Sequence, residues 1–123
     1  MKKPLDWKAN SLAANDVTKW VPVPPQCKRI CIAMGWPATG SPVGTLAIEV
    51  SNHGIEGTAG AAYSPAPSVN PSGAVAANIV LDNIVTAAAY IRMTYTNSSG
   101  GTACIFTNET GVAGTTPTIE FKE

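Results

Sequence analysis

The chain is poor in charge. Only 13% of its 123 residues are Asp, Glu, Lys or Arg, about half the ~25% of an ordinary globular domain. Eight basic and eight acidic residues cancel, and no run of Lys or Arg exceeds two. The electrostatic footprint of a nucleic-acid or anionic-membrane binder is therefore missing. No apolar run approaches the ~18 residues needed to span a bilayer. Histidine occurs once, as His53, with no Cys or carboxylate at ligand spacing, so the sequence predicts no metal centre. Asp6, Asp16, Glu49, Glu56, Asp82, Glu109, Glu120 and Glu123 are scattered, without the pairing that acid–base catalysis uses. Nucleophile-elbow and phosphate-loop patterns are also missing. The expectation is a protein that is not an enzyme and carries no cofactor.

Cysteine is scarce and odd in number. Cys27, Cys31 and Cys104 fit a reducing compartment better than a disulfide framework. On one strand Cys27 and Cys31 lie ~13 Å apart, too far to bridge without a bend. Either could reach Cys104; the reading here is three free thiols acting as small hydrophobes. Met1-Lys2-Lys3 is followed by Pro4, Asp6 and Lys8 rather than an apolar stretch, so export by a signal peptide is not expected.

What remains is Ser, Thr, Asn, Gly and Ala around short alternating strands. Such a surface is cheap to desolvate, which leans towards a protein that packs against others. At this length the chain forms one domain. Residues 1–25 stand apart, with Lys2, Lys3, Lys8 and Lys19, two of the three tryptophans, and prolines at 4, 22, 24 and 25. Val21-Pro22-Val23-Pro24-Pro25 must be extended. The segment is either an edge strand with its lead-in or an arm that docks on a neighbouring subunit through Trp7 and Trp20. Residues 26–123 then form the domain proper.

Lys28 to Met34 reads as a strand with Ile30, Ile32 and Met34 on one face. Gly35 to Gly44 is a loop, and Thr45 to Ser51 alternates with Leu46, Ile48 and Val50 inward. Residues 54–75, rich in Gly and Pro, form a long loop of the kind that often makes contacts. Ala74 to Ala89 has helix-forming alanines, but Val75, Ile79, Val80, Ile84, Val85 and Thr86 are β-branched, which favours strand. Ala89 to Thr96 is the clearest strand, and Asn97-Ser98-Ser99-Gly100-Gly101 predicts a hairpin returning along Thr102 to Thr107. Thr118 to Phe121 closes the chain. Six to eight short strands predict an all-β fold, a single antiparallel β-sandwich or jelly roll with an extended N-terminal arm. Arg92 is expected to face outward beside Tyr90 or Thr94; a buried pair with Glu49 or Asp82 is the alternative. Trp36, Tyr63, Tyr90 and Tyr95 are core residues on one reading and a sugar-binding platform on another.

Two phrases resemble small structural proteins of tailed-phage particles. One runs from Trp36 through Pro42-Val43-Gly44-Thr45-Leu46 to Val50-Ser51-Asn52. The other is Tyr90-Ile91-Arg92-Met93-Thr94-Tyr95-Thr96 followed by Ser98-Ser99-Gly100-Gly101-Thr102. Together they cover about a third of the chain and are folding signatures rather than active sites. The resemblance implies a β-sandwich virion component, assembled in the host cytoplasm. The leading expectation is a capsid decoration (cement) protein that binds the major capsid protein and copies of itself, as a dimer or trimer. Contacts are expected at Trp7, Trp20, Val21, Pro22, Val23 and Pro24, and at Tyr63, Pro65 and Pro67 of the long loop. A tail fibre, spike or adaptor domain and a carbohydrate-binding module are the competing readings.

Overall fold

The computed structural model describes residues 1–64 and 77–123, among which there is no helix. Nine strands follow one another among the described residues: β1 (Lys2–Pro4), β2 (Asp16–Val17), β3 (Val21–Pro22), β4 (Arg29–Trp36), β5 (Val43–Ser51), β6 (Ala61–Ala62), β7 (Ala77–Ile84), β8 (Tyr90–Ser99) and β9 (Thr118–Lys122). They make two antiparallel sheets, as the alternating runs predict. The first sheet has the order β1-β9-β4-β7; the second is β2-β8-β5-β6, with β3 also paired to β8.

The alternation explains the core. In β4 the side chains of Ile30, Ile32, Met34 and Trp36 are buried, and in β9 those of Ile119 and Phe121. Leu46 and Ile48 of β5 and Ile91, Met93 and Tyr95 of β8 are buried from the second sheet. All join one apolar cluster, so the period-2 rule puts one face of each sheet against a common interior. Ala77–Ile84 is a strand rather than a helix, because its β-branched side chains pack on β4.

Residues 1–25 are not a detached arm. β1 is an edge strand beside β9, pairing Lys2 with Glu120 and Pro4 with Thr118. The chain then crosses over, and β2 and β3 line the edge of β8. Leu5, Trp7 and Leu12 drop into the shared core on the way. The Trp7 ring stacks on Phe106 at 3.9 Å between centroids and 10° between planes. Phe106 in turn meets Tyr95 edge-on at 5.7 Å. Apolar burial of two sheets' worth of side chains, rather than a neighbouring subunit, claims this segment.

The hairpin expected at residues 97–101 does not form. β8 runs on to Ser99 and pairs instead with β5, from Val43 opposite Ser99 to Ser51 opposite Tyr90. Three left-handed residues, Gly100, Gly101 and Ala103 (φ 67°, 90° and 59°), then carry the chain out of the sheet. The Gly101 N–H donates to the Gly40 carbonyl at 2.7 Å, and a Cβ at Gly101 would collide with the Leu12 carbonyl. Residues 102–107 pass to the other sheet, burying Cys104 and Phe106, and Thr107 bridges Gly35.

Candidate contact surfaces

The residues expected to touch a partner separate into three groups. Trp7, Trp20 and Val21 are buried, Trp7 and Trp20 at 7% and 8% exposure, so the two anchors expected on a neighbour are spent inside this chain. The structure leaves Pro22 exposed and Val23, Pro24 and Tyr63 half-buried. Val23 and Tyr63 pack on the core, and the Tyr63 hydroxyl accepts the Val85 N–H at 2.9 Å. Pro24 borders a cleft of ≈ 530 Å³ with Met1, Gln26, Cys27, Phe121 and the Glu120–Glu123 strand end. Pro65 and Pro67 lie outside the described residues.

Trp20 has a different task. Its ring lies over Arg92, with the guanidinium carbon 4.2 Å from the ring centroid. Arg92 projects from β8 on the side opposite Ile91 and Met93, as its parity predicts, yet it is only 7% exposed. Correcting the open-surface expectation, Nε and Nη2 both reach Glu49 Oε1, at 3.3 and 3.2 Å, and Nη2 also donates to the Thr58 carbonyl at 3.2 Å. Glu49 Oε2 accepts the Gly60 N–H at 3.0 Å. The Trp20 indole donates to the Ile55 carbonyl at 3.2 Å, and its backbone N–H to Glu56 Oε1 at 3.0 Å. Gly60 must be glycine, since a Cβ would sit 2.6 Å from the Trp20 ring and 2.7 Å from the Val50 carbonyl. The Trp20 N–H holds the Glu56 carboxyl below the usual carboxylate range, helped by Lys8, whose Nζ lies 3.5 Å away.

The cluster is a clamp. Guanidinium and carboxylate bond one another and the backbone at Thr58 and Gly60, and the Trp20 indole caps the guanidinium. It pins the first part of the long loop over the outer face of β5 and β8. The sequence offers the Arg92–Glu49 pair only as the alternative and gives no sign of Trp20 above it, because the cross-strand partnership of Arg92 and Glu49 is fixed only once β8 is matched to β5 rather than to residues 102–107.

Other chemistry-bearing groups are likewise used in the architecture. The Asp16 carboxylate accepts the N–H groups of Ala9, Ser11 and Val17. The three cysteines are free thiols; burial pushes the Cys31 and Cys104 thiols up, away from the reactive thiolate. His53 is exposed in its turn. Among the described residues no three His, Cys, Asp or Glu side chains converge as metal ligands. Trp36 and Tyr95 are 2% and 1% exposed, so the core reading holds for both and the alternative of a sugar platform is not assembled around them; burial raises the Tyr95 hydroxyl pKa.

The outer face of the first sheet has no such cover among the described residues. Strand register lines up Lys2, Glu120 and Cys31 in one row and Pro4, Thr118, Ala33 and Val80 in the next. Val80 is 53% exposed at the β7 edge, with Val85 just beyond at 58%. No family model, curated protein or solved structure matches the chain.

Proposed function

We propose that this protein is a non-enzymatic structural component of a tailed-phage particle, a capsid decoration protein built as a β-sandwich that binds the assembled head and stabilises it. One observation carries the reading. The two phrases that resemble small virion proteins, well separated in sequence, contain strands β5 and β8, which pair side by side over the whole length of β5. They act as one structural unit. The use of ionisable groups supports the same reading: Arg92, Glu49, Glu56 and Asp16 hold the fold together, which leaves a lightly charged surface suited to packing against other subunits. Stabilisation would follow from mass action, since a ligand of the assembled shell alone opposes disassembly.

The test is a particle lacking the protein, compared with the same particle after the purified protein is added back. Decoration requires saturable binding in hundreds of copies and a shell that resists heat better when occupied. Unchanged shell stability would end the cementing role. Binding in a handful of copies at the tail would transfer the assignment to an adaptor or fibre domain.

A further inference from the structure

The five outer strands of the two sheets are not protected alike. β1 has three residues, two of them lysine and one proline. β6 has two residues, as do β2 and β3, the last containing Pro22. Short length, lysine and proline are the devices by which sheets avoid unwanted pairing. β7 is different: eight residues, Ala77–Ile84, with neither lysine nor proline and a single charge, Asp82. Among the described residues it ends the first sheet, bonded to β4 alone. Its ladder with β4 is regular from Ala77 to Leu81, and the register shifts by one residue between Leu81 and Ile84.

We propose that β7 is a self-association edge, pairing antiparallel with β7 of a second copy of this chain about a two-fold axis at Val80, so that the two four-stranded sheets become one. The two-fold axis keeps outer faces together, so only residues of the same parity can oppose each other. Among those registers the side chains select one. With Val80 on the axis, each half-exposed valine covers its counterpart, Ile79 meets Leu81, and each Asp82 carboxylate faces an Asn78 amide that can donate to it. Asp82 is exposed and shares the parity of the exposed Val80, which puts it on the outer face. Moving the axis to Ile79 strips Asp82 of that donor. An axis at Leu81 sets Asp82 against Val80, and one at Asp82 opposes two carboxylates. This inference uses the geometry of β7 alone and stands or falls separately from the virion reading.

The experiment is sedimentation equilibrium on the purified chain with Val80→Lys and Val80→Cys variants. The wild type should be a concentration-dependent dimer, and Val80→Lys, with two ammonium groups on the axis, should weaken it at least about tenfold. The Val80→Lys monomer should melt like the wild type diluted to monomer, because this side chain already faces water. In a background with Cys27 and Cys31 replaced by serine, Val80→Cys should give a disulfide dimer that peptide mapping places at position 80, since opposed residues lie within bridging distance. A wild type that stays monomeric at ~100 μM, far above a micromolar Kd, overturns the proposal. So does a dimer that survives Val80→Lys or fails to cross-link at position 80.

Discussion

The outer faces of the two sheets contrast. Over β5 and β8 the chain lays Trp20 and residues 55–60, fastened by the Arg92–Glu49 pair. Over β4 and β9 it lays nothing among the described residues, and Cys31, Ala33, Thr118 and Glu120 stay partly open. Both sheets bury one face in the same core, so core formation does not require the cover. A chain of this length that devotes its best-placed arginine and a tryptophan to roofing one sheet has committed that face to itself. Among the described residues the other face, with the β7 edge beside it, is left without such a roof.

Removing the roof should have the largest effect. Arg92→Met leaves the Glu49 carboxylate enclosed without its cation, and should cost about 3–5 kcal/mol in chemical denaturation. The double variant Arg92→Met with Glu49→Leu should recover most of that loss, because an apolar pair of similar volume often replaces a buried ion pair without penalty. A double variant as unstable as the single one would show that the contacts to Thr58 and Gly60, not the charge pairing, hold the roof. Trp20→Ala should cost about 3 kcal/mol, at the low end for a buried tryptophan because its ring lies outside the main core. Hydrogen exchange should then accelerate at Gly60 and through residues 55–60, while β4 and β9 keep their protection.

A smaller effect concerns acid. The folded-state pKa of Glu56 is lowered, so its contribution is present above the ordinary glutamate pKa of ~4.3 and is lost as pH falls through the folded value. Its side chain is 48% exposed, which keeps the contribution below about 1 kcal/mol. Glu56→Gln should therefore flatten the decline in melting temperature between about pH 6 and pH 3. An identical slope in the variant would assign the acid sensitivity to other carboxylates. On the bare face, Thr118→Ser should change stability by no more than about 0.5 kcal/mol; a loss as large as that of Trp20→Ala would erase the contrast between the two sheets.

Local pattern made the strands readable, and pairing was where it stopped. Leu46, Ile48 and Val50 alternate within seven residues, and so do Ile30, Ile32 and Met34, so β5 and β4 can be read from neighbours alone. The β-branched side chains of β7 were equally informative. The turn at Gly100-Gly101 looked like a hairpin because such sequences favour tight reversals. Its exit direction, however, depends on Gly40 and Leu12, some 60 and 90 positions away. Arg92 makes the same point. Its parity placed it outside the core correctly, but Trp20, Glu49 and Thr58, which bury it, come from three other parts of the chain. The tryptophans of the first 25 residues were recognised as anchors, and packing against Phe106 and Arg92 made those anchors internal.

The first and last strands of the fold are partners. Lys2 pairs with Glu120, and the Met1 amino group donates to the Phe121 carbonyl at 2.8 Å across 120 positions. During synthesis at ~5–20 residues per second, β1 therefore waits on the order of ten seconds for its neighbour to be made. The sheet that holds the β7 edge closes at its far side only when translation has passed Glu120. Fold completion is thereby a late event, governed by non-local pairing of the kind that sets millisecond-to-second folding times, and any self-pairing through β7 that starts earlier would join two unfinished chains.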